Sequence, residues 1–426
     1  MRFKKGLILQ AVLFVFLASI IILAGGCGGG SSGGGTTEKL DWTFLVYISA
    51  DNSLEQQDED YLDVKEMERV GSTDRVNVVI QWDKGGKGQY VDWSGCRRYK
   101  VLKDSEGQEA IVSTLLVDMG DVNMGIPETL ENFIVWGIQN YPADRYAVIL
   151  WNHGSGWRNP RSQNLILRDV CEDDSSGDML TQAEVRQAFA DAKSTTSVTV
   201  EMIGYDACLM GMLEVAYDLK DYGNFMAFSE ASEPGGGWPY DKVLGDLAAN
   251  PKMNGGILAT SVVDRYSASY TNPSITMSAI DLSKMDGIRT ATNDFVQVAC
   301  DKMSAEGNNM RTAAGAALFF EPTYNDYRDM GDFTRRLMDL SSDAELNAAA
   351  DELQKAEKAA VIKSFAGASV ADATGLSIWL PDLTQYNQYL TKYSTLKFDQ
   401  DTTCLLYTSD AADDLLCVDL GGRRII

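Results

Sequence analysis

Between Asp41 and Ala231 the chain repeats one pattern, a short unbroken apolar run followed by a stretch of helical length. The runs are WTFLVYIS (residues 42–49), VNVVIQWD (76–83), YAVILWN (146–152), VTVEMIGYDAC (198–208) and FMAFSEA (225–231). Runs without polar alternation suit strands buried on both faces. Helical spacers of roughly 10–15 residues make crossover connections, which join parallel strands. The pattern therefore predicts an α/β fold, a three-layer αβα sandwich on a mostly parallel central sheet. The spacers read as helices at 126–142, with Pro127 near the start, and at 179–192, with Thr181 and Glu184 as a capping box. A further helix is read from 209 directly after Cys208. Residues 85–95 read as a loop, and 96–103 as the start of a hairpin. Beyond Trp238 the signal weakens: helices are read at 248–264, 285–303 and 348–364, and strands in SITMSAIDL and at 374–381.

In such sheets, sites lie beyond the carboxyl ends of the strands. Two of those ends carry reactive groups. Asn152-His153-Gly154 holds the only histidine in the chain, and Asp206-Ala207-Cys208 a thiol. A thiol and an imidazole at neighbouring strand ends are what nucleophilic acyl transfer requires. The helix expected after Cys208 would favour its thiolate. The N–H groups of Gly154 and Cys208 are candidates for an oxyanion hole. On pattern alone, a structural histidine and a core cysteine stay open as the plainer readings.

Net charge is -24, which disfavours nucleic acid as a partner. One histidine and no CxxC pair argue against a His-based metal site and a zinc ribbon. The N-terminus reads as a targeting segment, with Arg2, Lys4 and Lys5 before an apolar run from Gly6 to Leu23. AGGC, ending at Cys27, resembles a bacterial lipoprotein signal, although Ala24 stands where such boxes usually have Leu. Residues 1–27 are thus read as a signal ending at lipidated Cys27, and 28–40 as a Gly/Ser-rich linker. An uncleaved membrane anchor is the alternative, and either reading exports the rest. Residues 41–270 are expected to form the catalytic part and 271–403 the C-terminal part of the same domain, with its end expected to be cut short. The tail 404–426 begins CLLYTSDAAD, similar to a translated sequencing adapter, and is expected to be disordered. Cys96, Cys171 and Cys300 are left over, and any two could pair in an oxidising compartment.

Several motifs in order resemble the clostripain family of cysteine peptidases, whose fold groups with the caspases. They are WTFLVYISADNSLE, YAVILWNHGSGW, CEDDSSGDMLTQAEVRQA, MIGYDACLMGMLEVAYDL and SEASEPGGGWPYD. The resemblance implies a caspase-like sandwich, with His153 as catalytic histidine and Cys208 as nucleophile. It makes Asp206 the acidic residue of the pocket for a basic P1 side chain; a cap on the following helix is the structural alternative. Some relatives carry a second acidic residue where this chain has Gly235-Gly236-Gly237, so Glu230 and Glu233 are the candidates to compensate. Relatives often cut themselves between the two motifs, which points to Arg168 and Arg161. Some members need calcium, for which the cluster Glu172, Asp173, Asp174 and Asp178 is the candidate, with Asp173, Asp174 and Asp178 as the chosen ligands. The expectation is an exported, monomeric endopeptidase acting on protein or peptide substrates, with no required cofactor. Its rivals are an inactive surface-binding lipoprotein and a thiol transpeptidase.

Overall fold

A computed structural model describes residues 39–90, 92–158 and 170–402, with the backbone of 404–405 and 418–419. The expected leader, Cys27 and most of the linker lie outside these residues, as do Arg161 and Arg168. In chain order the strands are β1 (Leu40–Ser49), β2 (Val76–Lys84), β3 (Gly95–Lys100), β4 (Thr114–Gly120), β5 (Ala143–Trp151), β6 (Val170–Asp173), β7 (Asp178–Leu180), β8 (Val200–Asp206), β9 (Gly223–Phe228), β10 (Thr276–Asp281), β11 (Tyr327–Asp329), β12 (Val361–Ala366), β13 (Ser377–Trp379), β14 (Cys404–Leu405) and β15 (Val418–Asp419). The helices are α1 (Glu59–Val70), α2 (Pro127–Asn140), α3 (Gln182–Thr196), α4 (Leu213–Leu219), α5 (Tyr240–Ala249), α6 (Gly255–Ser269), α7 (Met285–Asp301), α8 (Met303–Ala316), α9 (Met330–Leu340), α10 (Ala344–Ala360), α11 (Leu383–Tyr393) and α12 (Lys397–Asp401).

Nine strands form one sheet in the order β12-β10-β9-β8-β5-β1-β2-β3-β4. The five strands from β9 to β2 are parallel, as their unbroken apolar runs require. Antiparallel strands flank them on both sides: β3 and β4 as the expected hairpin, and β10 and β12 at the other edge. Alternation along β1 shows why the runs carry no polar face. Leu45 and Tyr47 pack with Phe133 of α2 and Phe189 of α3. Phe44, Val46 and Ile48 pack on the opposite side with Val64 of α1, Leu244 of α5 and Val262 of α6. The sandwich is therefore αβα, as predicted. Because β10 and β12 belong to the main sheet, residues beyond 270 complete the same body.

Several boundaries differ from expectation. The helix read from 209 is only α4, which starts at Leu213. The helix read at 248–264 is two helices, α5 and α6, parted at Asn250–Asn254, where Asn254 accepts from the N–H of Ile257 as an N-cap. The segment 361–364, read as the end of a helix, is strand, because the β-branched pair Val361-Ile362 finds β10 to pair with. Cys300 is disulfide-bonded, while Cys96, Cys171 and Cys208 are free thiols. None of the pairings among Cys96, Cys171 and Cys300 is therefore present. In the tail, β14 pairs antiparallel with β15. Among the described residues no helix is long and apolar enough to cross a membrane.

Candidate active site

Register brings the two reactive strand ends together. β5 and β8 are neighbours, and Trp151 pairs with Asp206 as their last rung. The N–H of Asn152 then donates to the carbonyl of Asp206 at 3.2 Å. His153 and Cys208 each follow that rung by two residues. Gly154 sits so close that a Cβ there would lie 2.3 Å from the carbonyl oxygen of Cys208 and 3.0 Å from the Cβ of Ala207. Only glycine lets the two chain segments touch in this way.

Cys208 does not open a helix. Ala207–Leu209 form a turn, with Leu209 left-handed at φ 63°, and α4 starts only at Leu213. A helix-terminal dipole therefore does not act on the sulfur, contrary to the sequence expectation. Its neighbour is instead the N–H of Glu233, which donates to Sγ at 3.2 Å. Burial raises the thiol pKa above its ordinary value, more than the bond from Glu233 lowers it, which acts against the ionised sulfur that the sequence suggested. His153 has a partner that sequence reasoning missed. The Oγ of Ser53, in the turn after β1, lies 2.9 Å from His153 Nε2. The stretch ADNSLE gave no signal for this, because Ser53 reaches the imidazole only through the pairing of β1 with β5.

Asp206 is buried on the face of the sheet covered by α1, α5 and α6. It accepts from the N–H of Trp238 at 3.1 Å and from the Tyr240 hydroxyl at 2.7 Å. Burial pushes its carboxyl up to about 6, against these bonds, which lower it. It caps the loop before α5 rather than α4. Gly237, at φ 45°, allows this: a Cβ there would lie 2.8 Å from Asp206 Oδ1. Glu233 is close enough that its carboxyl rises far above the ordinary range, through burial first and then Asp206 and Cys208. Asp63 of α1 joins the group. It accepts from the Trp151 indole at 2.6 Å, and burial and Asp206 both raise its pKa. No Lys or Arg among the described residues pairs with Asp206, Glu233 or Asp63.

Glu230 is not part of this cluster. Burial first, and then the neighbouring carboxylates of Asp329 and Glu357, raise its pKa far above the ordinary range. Glu59 of α1 does reach the glycine loop, where a Cβ on Gly235 would lie 2.6 Å from its Oε1. Gly236 faces the Tyr270 hydroxyl. The chosen calcium ligands also separate. Asp174 pairs with Lys87 at 3.2 Å. Asp178 accepts from Asn123 at 2.8 Å. Only Asp173 faces other carboxylates, those of Asp51 and Asp83. Glu172 contributes its carbonyl to Ser49 Oγ at 2.8 Å.

A model of the clostripain family matches residues 46–407. Clostripain of Hathewaya histolytica is 31% identical over 235 residues, which are 50% of this chain and 43% of that protein. The chain thus spans less than half the length of that curated relative. Two solved structures share the fold. One is a secreted C11 cysteine protease from Bacteroides thetaiotaomicron in complex with an irreversible peptide inhibitor, at TM-score 0.61 and 21% identity, covering 84% of this chain and 99% of its own. The other is an inactive zymogen C11 protease from Parabacteroides distasonis, at TM-score 0.64 and 21% identity, covering 86% and 99%. Since the family match runs through nearly all of the sheet and both strand ends, this chain belongs to the clostripain family of cysteine peptidases.

Proposed function

We propose that the chain is an endopeptidase that cleaves after Arg or Lys, with Cys208 as nucleophile and His153 as its proton carrier. The observation that carries the reading is the close packing of Gly154 on Cys208, with a buried carboxylate cluster two residues upstream that has no cation among the described residues. A guanidinium or ammonium of the substrate would supply that cation, paired with Asp206 and flanked by Glu233, Asp63 and Glu59. Glu59 and Asp63 from α1 stand in for the carboxylate that the Gly235-Gly236-Gly237 loop lacks.

The thiol starts neutral, so its proton passes to the imidazole as sulfur attacks the carbonyl carbon. With Nε2 held by Ser53, Nδ1 is the nitrogen to receive it. The tetrahedral oxyanion is stabilised by the N–H groups of Gly154 and Cys208. Collapse breaks the C–N bond, and the leaving amine takes the proton from His153. Water then cleaves the thioester, releases the acid and restores the thiol.

Self-cleavage at Arg168 or Arg161 belongs to the same proposal. Two fixed points frame that segment: Arg158, buried against Asp326 at 2.5 Å, and Val170 in β6. Export, lipid anchorage through Cys27 and action as a monomer complete the reading. Both rivals have a clear outcome in the test. A peptide library is digested with the purified protein, alongside labelling by an Arg-directed acyloxymethyl ketone. Cleavage after Arg or Lys and labelling lost in Cys208→Ala are expected. Asp206→Asn should lower kcat/KM for basic P1 roughly ten- to hundredfold, the worth of a charge-assisted hydrogen bond of about 1.5–3 kcal/mol. No labelling of the intact protein would leave the surface-binding rival. Amine-captured products in place of acids would make it a transpeptidase.

A further inference from the structure

We propose that Glu230 is a positioning residue for the nucleophile. With Asp329 and Glu357 it forms a buried clasp, which holds the segment bracing Cys208 against α9 and α10 only while two of the three carboxyls keep their protons. That segment, residues 229–233, follows β9 and makes three bonds to the turn at Cys208. The N–H of Gly211 donates to the carbonyl of Ser229 at 2.7 Å, and that of Leu209 to the carbonyl of Ala231 at 3.1 Å. The N–H of Glu233 donates to Cys208 Sγ at 3.2 Å. Glu230 lies in the middle of the segment, with its carboxyl beside Asp329, the N-cap of α9, and Glu357 of α10.

Hydrogen-bond geometry says where the protons are. The Thr374 hydroxyl lies 2.6 Å from Glu357 Oε1 and 2.9 Å from Asp329 Oδ1. A hydroxyl donates one proton, so both contacts are hydrogen bonds only if one of the two carboxyls is protonated and donates in turn. Asp329 also accepts from the N–H groups of Thr374 and Asp332, both at 2.6 Å. Such donors favour the charged form, so Asp329 keeps the charge and Glu357 the proton. Glu230 is 1% exposed, and neither of its oxygens meets a donor in hydrogen-bonding geometry among the described residues. The N–H of Gly375 favours its ion, but less than burial and the two acids oppose it. Ionised, it would be a bare buried charge; protonated, it can turn its proton to Asp329.

Other charges nearby do not replace those protons. Lys358 of α10 acts on Glu357, but less than burial and Asp329 do. Asp332 of α9 is engaged by Arg336 at 2.7 Å. From β10 comes only an uncharged partner, the Thr276 hydroxyl, which accepts the N–H of Glu230 at 3.0 Å. Burial and Asp329 push the Glu357 carboxyl up to about 8. A folded-state value above the unfolded one means that the clasp is complete below pH 4.5 and is lost as pH rises through about 8. Loss of a proton then sets like charges together out of water, and the segment parts from Asp329. The consequence for catalysis rests on the proposed function; the clasp itself does not.

The clasp is read first without catalysis, by hydrogen exchange of the Cys208→Ala protein from pH 6 to pH 9.5. Protection of the Leu209 and Gly211 amides, corrected for intrinsic exchange, should fall about tenfold per pH unit above pH 8 while α3 stays protected. Glu357→Gln keeps a donor to Thr374 but has no proton to lose, so it should move the fall to higher pH. Glu230→Ala should lower protection already at pH 6; should that variant fail to fold, Glu357→Gln decides. In the active enzyme, kcat should fall over the same range with KM little changed, and Glu357→Gln should extend its alkaline limb. Protection that holds to pH 9.5 in the parent overturns the clasp. So does a fall at the same pH in Glu357→Gln, or one in step with the amides of α3, which would be global unfolding. A clasp that opens while kcat holds overturns the positioning role. No cleavage at any pH, with exchange as expected, would count against the functional reading alone.

Discussion

At the scale of single residues, the site is built by close approach rather than by long reach. Gly154 meets the backbone of Cys208, and Gly237 meets the carboxylate of Asp206. Any side chain at either position would have to displace backbone or a buried charge. Burial dominates the sulfur. The N–H of Glu233 and the side chain of Ser232 donate to it, the carboxylates of Asp206 and Glu233 stand near, and burial outweighs the donors, so the thiol pKa is raised above 9.0. Alkylation of Cys208 in the free protein should therefore be slow at neutral pH. Its iodoacetamide rate should climb about tenfold per pH unit from pH 7 to pH 9, in step with the thiolate fraction. A plateau already reached below pH 7 would mean a resting thiolate–imidazolium pair instead. Cys96 and Cys171 are fully buried and should not contribute.

Among the elements, α3 is the one whose start was legible residue by residue. The Oγ of Thr181 accepts from the N–H of Glu184, and the Glu184 carboxylate accepts from the N–H of Thr181 at 2.8 Å. Both halves of a capping box lie within four residues, so local sequence decides it. Thr181→Ala should cost about 1 kcal/mol in chemical denaturation. It should leave alkylation of Cys208 unchanged, because the cap lies beside Gln182 of α3, which accepts a hydrogen bond from Tyr205, and makes no bond to Cys208 itself. The element after Cys208 was misread for the opposite reason. LMGMLEVAYDL has helical composition throughout, yet Met212 bridges to Ser377 and the carbonyl of Gly211 receives the N–H of Ser377 at 2.9 Å. A partner 165 residues away holds Met212 extended and delays the helix. The broken helix at Asn250 and strand β12 follow the same rule, since each depends on what lies beside it.

For the whole molecule, buried carboxyls tie the last third of the chain to the sheet. Glu214 of α4 accepts from the N–H of Trp379 at 2.9 Å, and burial pushes its carboxyl from 4.5 up to about 7. Asp218, one turn on, is also pushed to about 7 by burial, although Arg186 pairs with it. The sign follows from linkage: a folded-state pKa above the unfolded one means the native state binds more protons. Glu214 thus contributes stability that is complete below pH 4.5 and lost as pH rises through about 7. At about 1.4 kcal/mol per pKa unit, this is on the order of 3 kcal/mol. Thermal unfolding between pH 5 and pH 8 should show this loss, and Glu214→Gln should flatten the profile. An unchanged profile in that variant would assign the dependence to Asp218 and the other buried carboxyls.

The sequence by itself determined the layered architecture, the parallel centre of the sheet and the two strand ends that carry His153 and Cys208. These depend on hydrophobic period and on position within a strand, both of which are local quantities. Only the tertiary structure decided what surrounds those groups. It brought Ser53 to the imidazole, Asp63 to Asp206, Glu59 to the glycine loop, and Asp51 and Asp83 to Asp173, and it turned Glu230 towards Asp329. Each of these meetings depends on strand register and helix packing between distant segments. A charged side chain at one position gives no local sign of the partner that folding will set beside it.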